Sequence, residues 1–77
     1  MITQIQPILQ EGLKNAYNEP YSKIDVVINL LNKINQHYEI RGWFELTGFL
    51  GSEIAEGTFN ITLDEELNIT HLEILDE

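Results

Sequence analysis

The chain reads as a single α+β domain over residues 1–77, of order α-α-β-β-β, with a helical hairpin packed on one face of a three-stranded antiparallel meander. Three observations predict it. Apolar residues recur at spacings of three and four as far as Ile34, the spacing changes to two from Tyr38 onward, and two turn signals, Gly51-Ser52 and Asp64–Leu67, divide the alternating stretch.

The first helix, about residues 4–18, is drawn by Ile5, Ile8, Leu9, Leu13, Ala16 and Tyr17, which share one face. Thr3 with Gln6 imitates a capping box, Pro7 is best tolerated in a first turn, and Asn18-Glu19-Pro20-Tyr21 ends the pattern. Ser22, with Asp25 three residues on, can cap a second helix over about 22–36 whose face is Ile24, Val27, Ile28, Leu31 and Ile34, widened by Val26 and Leu30. The short connection makes the pair antiparallel.

Three strands follow, at about 38–50, 53–63 and 68–75. In the first, Ile40, Phe44, Leu46 and Leu50 alternate with Glu39, Arg41, Trp43, Glu45, Thr47 and Phe49. A type II′ turn at Gly51-Ser52 pairs Leu50 with Glu53, Phe44 with Phe59 and Ile40 with Leu63, which gathers the large aliphatic side chains on one face. A four-residue loop, Asp64–Leu67, then pairs Leu63 with Asn68 and Phe59 with Leu72, so that Leu72 and Ile74 join the core. A loop one residue longer would turn His71 and Glu73 inward instead.

Composition bounds the function. The formal charge is −9, from 13 acids and four basic residues, and every lysine and arginine lies at or before Arg41, so the whole excess falls between Gly42 and Glu77. Such a chain repels phosphate backbones and anionic membranes and suits a basic protein surface or a cation. With no cysteine there is neither a disulfide nor a thiolate centre. No apolar run approaches the roughly 18 residues of a membrane span, and the opening Met-Ile-Thr-Gln has no basic segment, which points to the cytoplasm.

The expected open face of the sheet holds the candidate site. Its rows run Arg41, Thr62, Ile69; Trp43, Asn60, His71; Glu45, Thr58, Glu73; Thr47, Glu56, Leu75; and Phe49 beside Ile54. Trp43, Phe49, Ile54, Ile69 and Leu75 are more apolar than solvent requires, and an apolar patch rimmed by charge marks an interface. Glu45 and Glu73 fall in one row about 9–10 Å apart, two strand spacings, with Glu56 in the next row. Neither they nor His71 has the ligand spacing of a metal site. Asp64, Glu66 and Asn68 imitate alternating calcium ligands, but Ile69 stands where an EF-hand requires glycine and Leu75 where it requires glutamate. Carboxylates on an open face, with no phosphate loop and no nucleophile beside a base, argue against an enzyme and call for no cofactor.

The acids gather at the two ends of the sheet: Glu53, Glu56, Asp76 and Glu77 at one, Asp64, Glu65 and Glu66 at the other. These features describe a small, acidic, non-enzymatic protein-interaction module. It would bind a protein with a basic surface, or a second copy of itself, through Trp43, Phe49, Ile54 and Ile69, with Glu45, Glu56, Glu73, Asp64, Glu65 and Glu66 steering the approach and no direct contact with nucleic acid or membrane. Two other readings are a nucleic-acid-mimicking inhibitor, whose carboxylates occupy the phosphate sites of a DNA- or RNA-binding protein, and a small-ligand or metal-binding domain.

Overall fold

The structure, a computed structural model, describes residues 2–76. It is α+β, with one helix, α1 (Ile2–Ala16), and four strands, β1 (Lys23–Ile34), β2 (His37–Thr47), β3 (Glu53–Leu63) and β4 (Ile69–Asp76). The strands form one antiparallel sheet in the order β1-β2-β3-β4, with the helix across one face. No helix among the described residues is long and apolar enough to cross a membrane.

The helix is placed by Ile5, Leu9 and Leu13, fully buried at intervals of four. It ends in a Schellman motif: Asn18 takes a left-handed φ of 56°, its N–H bonds the Asn15 carbonyl, and the Glu19 N–H bonds that of Lys14. Pro7 sits in the second turn, where it withholds the N–H that would bond Thr3.

The expected second helix is strand β1, and its physical cause is a β-bulge. Ile24, Val26 and Ile28 point towards α1, then Asn29 is an extra residue between the Ile28–Gly42 and Leu30–Arg41 pairs, and Leu31 resumes the inward face. Inserting one residue into a period of two converts it locally into steps of three, so Ile24, Val27, Ile28, Leu31 and Ile34 imitate a helical stripe. Val27, Leu30 and Ile34, the outward members, are half-exposed. Ser22 caps no helix; its hydroxyl donates to the Glu19 carbonyl in the connecting turn. Asn35, with a φ of 56°, closes a two-residue hairpin into β2.

Beyond a bulge at each closing end, both later hairpins run two residues away from the expected register. Thr47 pairs with Glu53 across a loop in which the Gly48 N–H bonds the Ser52 carbonyl, while Leu50 and Gly51 are left-handed. Leu50, expected at the end of a buried strand, is 89% exposed in that loop. Phe44 therefore faces Gly57, and Phe59 faces Gly42, rather than the two rings facing each other. The Phe59 ring lies against Gly42, where a β-carbon would come within 2.8 Å of it, and the two rings meet diagonally at 6.5 Å between centroids. The room that Gly42 leaves for that ring favours this register over one that sets the two rings opposite each other. A shift of two preserves the faces, so Ile40, Phe44, Leu46, Phe59, Ile61 and Leu63 are all buried under α1 as expected.

The β3–β4 loop is likewise longer. Leu63 pairs with Ile69, and a further bulge before the Thr62–His71 pair turns Ile69 inward. There its side chain packs directly over Gly12 of α1, with Leu72 beside it.

Candidate interaction surface

The face of the sheet away from α1 is built in rows across the strands, three of which reach from β1 to β4. In order the rows are Ile34, His37; Asn32, Glu39, Thr62, His71; Leu30, Arg41, Asn60, Glu73; Val27, Trp43, Thr58, Leu75; Asp25, Glu45, Glu56; and Lys23, Thr47, Glu53. Val27, Trp43 and Leu75 thus share one row, with Thr58 between the last two, and Leu30 and Ile34 lie further along β1 on either side of Asn32. Leu75 is 46% exposed and Val27 50%.

Of the residues singled out in the sequence, Trp43, Glu45, Glu56 and Glu73 stand on this face, but Glu45 and Glu73 are not in one row. Glu45 pairs with Glu56, whereas Glu73 pairs with Asn60, whose amide donates to it at 3.3 Å. Ile69 leaves the surface altogether. Ile54 lies at the bulge that opens β3, beside Gly48. Phe49, 87% exposed, projects from the β2–β3 loop, where with Leu50 and Tyr21 it lines a depression at the end of the sheet. Val27, Leu30 and Ile34 were missed because the second helix claimed them. The β-branched run Ile24–Ile28 and the turn-forming Asn35 were the signals against that helix.

The acids are arranged unevenly. Carboxylate oxygens of Glu45, Glu53 and Glu56 come within 4.8 Å of one another at one end of the open face. Among the described residues no lysine or arginine forms an ion pair; His37 Nε2 lies 3.5 Å from a Glu39 carboxylate oxygen, and Lys33 lies over the Tyr38 ring. The glutamate trio therefore has no lysine or arginine paired with it among the described residues, although Lys23 stands in the same row as Thr47 and Glu53. Three carboxylates at that spacing repel one another, and an external cationic group between them would relieve the repulsion. The shallow depression at the other end of the face is lined by Glu39, Arg41, Asn60, His71 and Glu73.

Asp64, Glu65 and Glu66 lie in the β3–β4 loop, where Asp64 is an internal fastener. One of its carboxylate oxygens accepts the N–H groups of Asn68 and Glu66, both at 2.9 Å, and the other the Asn68 amide at 3.5 Å. These bonds, that from the Asn68 backbone foremost, hold the Asp64 carboxyl below its ordinary range. A depressed pKa means that the stabilisation is complete above the ordinary carboxylate value and is lost as pH falls through the lower, folded value. Acid titration followed by NMR should show the Glu66 and Asn68 amides shifting with Asp64 at a pH below the ordinary carboxylate range. Asp64→Ala should abolish that late transition, and a transition within the ordinary range would show that the carboxylate is not holding the loop. The expected contribution of the Asp76 and Glu77 carboxylates lies outside the described residues.

No family model, curated protein or solved structure matches the chain.

Proposed function

We propose that this chain is a non-enzymatic protein-interaction module that binds a basic partner through the open face of its sheet. The supporting observation is the adjacent pair Val27 and Trp43, with Leu75 in the same row beyond Thr58 and Leu30 and Ile34 further along β1, beside the carboxylates of Glu45, Glu53 and Glu56. Apolar anchors surrounded by charge suit an interface in which aromatic burial supplies affinity and charge supplies selection. Trp43 has the central place, flanked across the strands by Val27 and Thr58.

The test compares wild type with Trp43→Ser on a partner captured from the source organism. Trp43 is half-buried, so the substitution should lower folding stability by no more than about 1 kcal/mol while weakening the complex by about 2 kcal/mol or more. A loss confined to folding would make Trp43 a structural residue and end this reading.

The nucleic-acid mimic is the second reading, supported by the unpaired trio Glu45, Glu53 and Glu56. It makes the opposite forecast for salt. Affinity carried by carboxylates in place of phosphates falls steeply with ionic strength, and DNA or RNA competes for the partner. Affinity carried by Trp43 and its neighbours depends weakly on salt, because charges beyond about 8 Å are screened at physiological ionic strength.

A further inference from the structure

The two edges of the sheet are not equivalent. β1 is obstructed as a template for another strand. Its Val26 carbonyl points outward and accepts a 2.8 Å bond from the Gln6 side chain, Asn29 bulges, and Lys23 and Lys33 lie along it. These are the devices by which proteins blunt a free edge. β4 has a continuous register with β3 from His71 to Asp76, and its sequence contains no proline and no lysine. The Thr58 hydroxyl reaches the Leu75 carbonyl at 3.3 Å, which shows that this carbonyl faces β3. By strand alternation, the N–H and C=O groups of Leu72 and Ile74 then face outward.

Charge separates the edges in the same sense. Lys23, Lys33 and Arg41 are on β1 and β2, while β3 and β4 carry no lysine or arginine. We propose that the β4 edge accepts an extended, basic segment of another protein as a fifth strand, with a lysine or arginine opposite Glu73 and apolar residues beside Leu72 and Ile74. A second copy fits poorly: two β4 edges bring like charges together, and β1 is obstructed. The added strand would take its affinity from main-chain hydrogen bonds and its specificity from alternate side chains. The outward main-chain groups of Leu72 and Ile74 are not part of the open face, although Glu73 stands on it, and the proposal stands independently of the reading built on Trp43.

The test uses the full chain, labelled for NMR, with two capped peptides in which valine alternates with lysine or with glutamate. The lysine peptide should slow exchange of the Leu72 and Ile74 amides by about tenfold or more, while the glutamate peptide has no effect. Ile74→Pro removes an outward N–H, a position where an edge strand tolerates proline, and should abolish the protection. Glu73→Lys keeps every backbone group and should weaken lysine-peptide binding several-fold, which carries the test should the proline variant fail to fold. Trp43→Ser should leave peptide binding unchanged, so the edge and the open face can fail separately. Shifts confined to Val27 and Trp43, with Leu72 and Ile74 unprotected, would overturn the proposal. So would protection of those two amides in the free protein that grows with its concentration, since the occupant would then be a second copy.

Discussion

Phe44→Ala is expected to cost about 4 kcal/mol of folding stability, within the range for removing a buried aromatic ring. The side chain is fully buried, with its ring centroid 5.9 Å from that of Tyr17 and 6.5 Å from that of Phe59. Through Tyr17 and Phe59 it links the residue that follows α1 to β2 and β3. A chain of this size has a stability of about 5–10 kcal/mol, so the variant would lose roughly two-fifths to four-fifths of it. Urea unfolding should show a midpoint lowered in the same proportion with a similar slope. A loss below about 1.5 kcal/mol would mean that this ring is not central to the core, contrary to its burial. The neighbouring Trp43 provides the control: one residue along the same strand, it points to the other face, and its replacement should leave the midpoint nearly unchanged.

That contrast between adjacent residues was legible in the sequence because a strand alternates its faces. The alternation around Phe44 and around Phe59, Ile61 and Leu63 survived both register errors, since each error was an even number of residues. Register itself was not legible. It depends on the Phe59 ring lying against Gly42 on the next strand, and on loops held by the Gly48–Ser52 and Asp64–Asn68 bonds. An odd displacement does change faces, as at Ile69, where a bulge turns an expected surface anchor into a contact of α1. Strand β1 was hidden for the same reason, because one extra residue at Asn29 gave an alternating strand the spacing of a helix. The charge segregation was plain in the sequence, but only the strand order turns it into a difference between two edges of one sheet.

The glycine under Phe59 couples this architecture to the candidate surface. Gly42 is buried in the middle of β2, and a β-carbon there would run into the main-chain carbonyl of Val27 and come within 2.8 Å of the Phe59 ring. Glycine inside a strand is ordinarily unfavourable by about 0.5–1 kcal/mol relative to alanine, so Gly42→Ala should stabilise wherever there is room. Here the obstruction is backbone, and β1 must move away for the methyl group to fit. Overpacking of this kind costs about 1–3 kcal/mol or more, and a net loss of about 2–3 kcal/mol is expected. The displaced segment is the bulge that presents Val27 and Leu30 outward, next to Trp43 and Arg41. Amide shifts should accordingly spread from Gly42 along β1 to Leu30, and association through the open face should weaken beyond what the lost stability explains. Val27→Ala offers the comparison: it trims the same surface without moving the strand, so its effect on folding should stay near 1 kcal/mol or below. A Gly42→Ala variant as stable as wild type would show that β1 yields freely, and that the bulge does not hold Val27 and Leu30 in place.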